Sequence, residues 1–120
     1  MPIKRSFSRL TLMIAAALAA VYLAYTPDVR AEDAATIVIT LKNDAFSPAE
    51  VKVTAGKPFV LKFVNQDAAA AEIEAKDLKI EKVVTGNGEI IARVAPQTPG
   101  RYLFVNEYKE ETVKGFVVVE

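Results

Sequence analysis

Histidine and cysteine are both absent from this chain of 120 residues, so its chemistry falls to oxygen and amine groups. That absence removes His- and Cys-based nucleophilic catalysis and the ordinary zinc sites, and it argues against an enzyme. The side chains with most to offer are the carboxylates of Ala71–Val84, AEIEAKDLKIEKVV. In an extended strand Glu72 and Glu74 project from one face, while Asp77 and Glu81 add charge to the neighbouring connection. Carboxylate oxygens are hard donors, better suited to calcium, magnesium, manganese or iron than to copper(I). The alternative is a solvated surface in which these acids pair with Lys76, Lys79, Lys82 and Lys109. Exposed pairs of that kind contribute about 0–1 kcal/mol each and imply no function. Asn65 and Asn106 suggest a structural use, because a side-chain amide bonded to backbone ties adjacent loops together. Tyr108 is one candidate aromatic contact for a partner.

The first thirty residues have the composition of an export signal. Lys4, Arg5 and Arg9 precede an uncharged, Ala/Leu-rich run from Leu10 to Tyr25, and Val29-Arg30-Ala31 offers small residues for cleavage. The expected division is a signal-peptide helix within residues 1–31 and one domain over residues 32–120. An uncleaved membrane anchor is the alternative, although the apolar run falls short of the roughly 20 residues a spanning helix needs. Cleavage would remove four basic residues and one acid. The remaining eleven basic and fourteen acidic residues give a net charge of −3. Such mild acidity gives no electrostatic reason to expect nucleic acid as a partner. Without cysteine, an exported domain must be held by its apolar core.

After a loose tail at Glu32–Ala35, the elements that must position the acids are short strands. Thr36–Lys42 alternates, with Ile37, Ile39 and Leu41 on one face. Val51 and Val53 form a second strand, and Phe59, Leu61 and Phe63 a third that runs into Asn65. Asn43-Asp44, Ser47-Pro48 and Ala55-Gly56-Lys57-Pro58 supply turns. Ala68–Thr85 has the propensity for an amphipathic helix. Its all-β surroundings instead suggest a strand at Glu72–Glu74, a turn near Asp77–Lys79 and an extended piece at Ile80–Val84. Glu89–Val94, Tyr102–Asn106 and Phe116–Val119 follow. Six or seven short strands predict an all-β, antiparallel sandwich with Greek-key connections. Phe59, Leu61, Phe63, Tyr102 and Phe104 should point inward. Tyr102 also stands where such folds use a tyrosine to bond the backbone at a corner, the alternative being ordinary core packing.

One segment carries a further likeness. Pro99–Val119, PGRYLFVNEYKEETVKGFVVV, joins a Pro-Gly turn and an aromatic strand to a polar loop, Asn106–Val113, and a Gly-led closing strand. It resembles the end of the small copper proteins of the cupredoxin family, whose pattern is close to P-G-x-Y-x-[FY]-x-C-x-x-H, three or four residues, Met, then a Gly-led strand. The likeness reaches back through FVLKFVN and Ala55-Gly56-Lys57 to Phe46-Ser47-Pro48. In this frame the Cys position is Asn106, the His position Lys109, the Met falls near Val113, and the upstream His falls at or next to Ala71. A type-1 copper centre needs a thiolate and two imidazoles, and this chain supplies neither.

A closer resemblance is to periplasmic cupredoxin-like domains of bacterial iron-uptake systems, the EfeO and FtrB types. It rests on Asn65-Gln66-Asp67, then Glu72-Ile73-Glu74-Ala75-Lys76-Asp77-Leu78, then Glu81-Lys82-Val83, with Glu107-Tyr108-Lys109 where that family tends to have Glu-Phe-His. It implies a periplasmic accessory in iron handling that works beside an iron permease or another membrane transport component. It also places Glu107 near Glu72 and Glu74, making these three the expected ligands of iron or another hard cation. The alternative is a metal-free sandwich that serves as an interaction or scaffold domain for a membrane or redox partner.

Overall fold

The computed structural model describes Ala34–Glu120, and the expected signal segment lies outside the described residues. Nine strands occur among them: β1 (Ala35–Lys42), β2 (Ala45–Ser47), β3 (Glu50–Val53), β4 (Phe59–Asn65), β5 (Ala71–Ala75), β6 (Ile80–Val84), β7 (Glu89–Val94), β8 (Gly100–Asn106) and β9 (Lys114–Val119). Single 3-10 turns follow β5 at Lys76–Leu78 and β8 at Glu107–Lys109. One sheet has the order β2-β1-β4-β7 and the other β3-β9-β8-β5-β6.

The alternating strands turn their apolar residues toward each other. Ile39, Leu61, Phe63, Ile73, Phe104 and Val117 are all at most 1% exposed and belong to one core cluster. At its centre Phe46 and Phe63 from one sheet meet Phe104 from the other, edge to face, with ring centroids 5.0 to 6.1 Å apart. Such geometry sets the negative face of one ring against the positive edge of the next, worth about 0.5–1.5 kcal/mol per pair beyond burial. Tyr102 is half-buried, and its hydroxyl donates to the Thr98 carbonyl at 2.7 Å, so it does form the corner bond.

The all-β sandwich is as the alternation predicts, but its sheets are mixed. β1 lies parallel to β4, and β3 parallel to β9, while the other pairings are antiparallel. The cause is connectivity: after β2 the chain crosses to the other sheet for β3, then returns so that β4 runs alongside β1. Two further differences are local. Ala35 is the first residue of β1 rather than part of a tail, and the Ala45–Ser47 stretch forms β2. The β1–β2 hairpin closes through Asn43 and Asp44, both at positive φ (51° and 56°), the conformation that matches a two-residue loop to strand twist.

Candidate functional site

β5 decides where the acids go. Its odd-numbered residues Ala71, Ile73 and Ala75 are buried in the core, so Glu72 and Glu74 stand on the outer face of the sheet. The hairpin to β6 sets Glu74 opposite Glu81 and Glu72 opposite Val83. That hairpin is turned by the Lys76–Leu78 3-10 turn and by Lys79 in the left-handed region, φ 58°. On the other side β8 pairs with β5 through Ile73–Asn106 and Glu74–Val105, which carries Glu107 to the same face just past the strand end.

The result is a carboxylate cluster. One oxygen from each of Glu72, Glu81 and Glu107 lies within 4.8 Å of the others. A shallow, open depression beside them is lined by Glu74, Lys76, Lys79, Ile80, Glu81 and Glu107. Glu74 stands at the edge of the trio with its side chain 11% exposed and its carboxylate 3.3 Å from Lys76 Nζ. The Glu107 carboxyl is pushed up to about 7: a hydrogen bond to the Glu74 carboxyl contributes most, then loss of hydration, then the hydrogen bond to Glu72 and its charge. Lys76 is shifted upward, first by its hydrogen bond to Glu74 and then by that residue's charge.

Two of the expected ligands, Glu72 and Glu107, are thus brought together, with Glu74 alongside. Glu81 completes the trio, and Asp77 lies on the exposed 3-10 turn outside it. Glu81 was readable as a cluster member only through the hairpin register, since a two-stranded pairing about Lys76–Lys79 sets it opposite Glu74. The lysine-paired alternative holds in part. Lys76 meets Glu74, but Lys82 Nζ donates to the Ile91 carbonyl and Lys109 Nζ to Asp44. Among the described residues no salt bridge reaches Glu72, Glu81 or Glu107.

The inner end of the sandwich has a different character. Among the described residues the buried polar side chains are those of Asn65 and Asn106, 1% and 3% exposed. Asn65 Nδ2 donates to the carbonyls of Ala69 and Thr85, and its Oδ1 accepts from the Asp67 N–H. Asn106 Oδ1 accepts from the N–H groups of Glu72 and Tyr108. The Asp67 carboxylate receives the N–H groups of Asn43 and Asp44 at 2.7 and 3.0 Å, which hold its pKa below the usual carboxylate range. Soft-metal chemistry finds no donors here. Ala71 and Val113 present only alkyl groups, Asn106 an engaged amide, and Lys109 an ammonium bound to Asp44 at 2.6 Å. Tyr108, 58% exposed, is the aromatic side chain open to a partner at this loop.

Comparison with known proteins agrees with this architecture. A family model described as "Cupredoxin-like domain" matches residues 12–119. An uncharacterized protein of Rickettsia prowazekii is 31% identical over 108 residues, covering 90% of this chain and 86% of that protein. The metal-binding domain of the Cu(I)-exporting P-type ATPase CopA of Streptococcus pneumoniae superimposes with a TM-score of 0.61 at 24% identity, over 71% of this chain and 84% of that one. Auracyanin from Roseiflexus castenholzii gives 0.61 at 20% identity, over 72% and 98%. Likenesses this distant in sequence speak for the fold.

Proposed function

This chain belongs to the cupredoxin-like domain family, and from that premise we propose that it is a periplasmic accessory in metal handling that binds a hard cation, iron foremost, through carboxylates. The observation that carries the reading is the Glu72–Glu81–Glu107 trio, with oxygens within 4.8 Å of one another. Three converging carboxylates bring three negative charges together, a repulsion that a multivalent cation relieves and a proton on Glu107 relieves only partly. Glu72, Glu81 and Glu107 are the ligands in this reading. Glu74 accepts a hydrogen bond from protonated Glu107 and anchors Lys76 beside the depression. The open, shallow setting suits a cation that is taken up and handed on, for instance to an iron permease or another membrane transport component. The likeness to EfeO- and FtrB-type domains supports iron as the cargo. Copper is the metal named for the ATPase domain, but this chain has no His or Cys with which to hold it as a type-1 centre.

Calorimetric titration with ferrous, ferric, manganese and cupric ions tests the proposal. Saturable binding of a hard cation is expected, and the triple substitution E72Q/E81Q/E107Q should weaken it at least tenfold. Equal affinity in that variant, or no saturable binding in the unsubstituted protein, removes the reading. A second reading is a metal-free interaction domain docking to a membrane or redox partner. It is favoured by the interior amide bonds of Asn65 and Asn106, which organise the loops from within. Stable capture of one membrane component by a protein indifferent to all four ions would support it.

A further inference from the structure

The inner face of β5 points to a role for Asn106 that is independent of the outer carboxylates. Asn106 stands opposite Ile73 on β5, and its N–H donates to the Val113 carbonyl at 2.9 Å. The Val113 N–H returns to the Lys109 carbonyl at 2.9 Å, so the whole 106–113 loop is closed on its own backbone. Ala71, Asn106 and Val113 are all buried. A single atom, Asn106 Oδ1, then accepts N–H groups from two separate elements: Glu72 on β5 at 3.2 Å and Tyr108 in the loop at 3.3 Å. A metal ion at this end would join the same two elements by taking a ligand from each. Here the one side chain that could have offered a donor already has its oxygen committed to both. The Lys109 ammonium, in the same loop, is engaged by Asp44 at 2.6 Å.

We propose that Asn106 is a built-in substitute for a metal ion: its amide oxygen joins β5 to the 106–113 loop, completing this end of the sandwich and closing it to copper. The cupredoxin frame is thereby uncoupled from metal occupancy. A bound ion stabilises a fold by an amount that grows with the logarithm of its free concentration above Kd, whereas an internal amide does so whatever the ion concentration. A cation held by Glu72, Glu81 and Glu107 meets the outer face of β5, and the joint functions whether or not one is bound.

Hydrogen exchange on the unsubstituted protein and on Asn106→Leu, which keeps the volume and removes the oxygen, tests the proposal. In E72Q/E81Q/E107Q, which lacks the outer cation site, exhaustive chelation should leave the Tm and the protection of the amides of residue 72, Tyr108 and Val113 unchanged. Copper(I) added to the unsubstituted protein under reducing conditions should not increase protection of the Asn106 and Val113 amides. In Asn106→Leu the Glu72 and Tyr108 amides should exchange at least tenfold faster, with Phe63 and Phe104 amides still protected. A Tm of E72Q/E81Q/E107Q that falls on chelation overturns the proposal. So does stoichiometric copper(I) binding that protects Val113 and persists in E72Q/E81Q/E107Q, and so does undiminished protection of Glu72 and Tyr108 in Asn106→Leu. Should Asn106→Leu not fold, the chelation arm on E72Q/E81Q/E107Q and the copper arm on the unsubstituted protein decide. Loss of hard-cation binding in the Glu variants bears on the outer site alone.

Discussion

Glu107 illustrates how one side chain can couple stability to pH in this protein. In the unfolded chain its carboxyl titrates near the ordinary value of 4.5, and in the fold near 7, because Glu74 and Glu72 stabilise the protonated form and disfavour the charged one. Between these values the folded protein holds a proton that the unfolded chain has released, so this group's contribution is full below the lower value and is lost as pH rises through the upper one. Glu107→Gln should accordingly flatten the pH dependence of the melting temperature between pH 5 and 8 and melt above the unsubstituted protein at pH 8. Parallel pH profiles for the two proteins would refute the assignment. The same shift makes cation binding proton-coupled: affinity for a hard cation should rise from pH 6 to 8, with proton release detectable by calorimetry in buffers of different ionisation enthalpy. Asp67 behaves in the opposite sense. Its depressed pKa contributes stability that is present above the ordinary carboxylate value and is lost as pH falls through the folded one, and Asp67→Asn, which can satisfy fewer of the turn N–H groups, should weaken that acid limb.

The strands around the candidate site show which parts of the sequence were readable and why. The E-I-E alternation of β5 was legible despite good helix propensity over Ala68–Thr85, because a buried Ile between two acids fits a half-buried strand. The roles of Asn65 and Asn106 were legible too, since amides next to turns satisfy backbone groups that strands leave behind. Glu81 joined the site through a register that only the finished hairpin fixes, and Asp77 left it because the 3-10 turn carries it away from the sheet face. β2 went unread because three residues, Ala45–Ser47, are too few to show a period. Gly115, the second residue of β9, matters for packing more than for turn geometry. A methyl at Gly115 would run into the Phe104 ring and lie 2.6 Å from the Ala49 carbonyl oxygen, where β3 and β9 come together. Gly115→Ala should therefore cost about 1–3 kcal/mol. Urea denaturation measures it, and a loss below about 0.5 kcal/mol would mean that the ring and β3 yield without strain.

The whole domain depends on pairings between strands far apart in the chain, which is why alternation located the strands without revealing that two pairs are parallel. β3 lies against β9 with Val53 opposite Val119, and the Glu120 N–H returns to the Val53 carbonyl. Through β9, the edge strand β3 is connected to β8, β5 and β6. β9 also contributes Val117 and Val119 to the core and encloses the loop that presents Glu107 and Tyr108. Because the chain has no cysteine, a covalent tie cannot compensate for a lost strand, and the core must close as one unit. Removing residues 114–120 should thus abolish cooperative unfolding altogether, leaving β3 unpaired and the Phe46–Phe63–Phe104 group open on the side of Gly115. Phe104→Ala, which leaves every strand pairing in place, should instead retain a cooperative transition weakened by about 3–5 kcal/mol. Thermal melts followed by circular dichroism separate the two cases. A sharp transition in the truncated chain would show that the β2-β1-β4-β7 sheet folds without the closing strand, and that the two sheets are energetically more independent than their shared core implies.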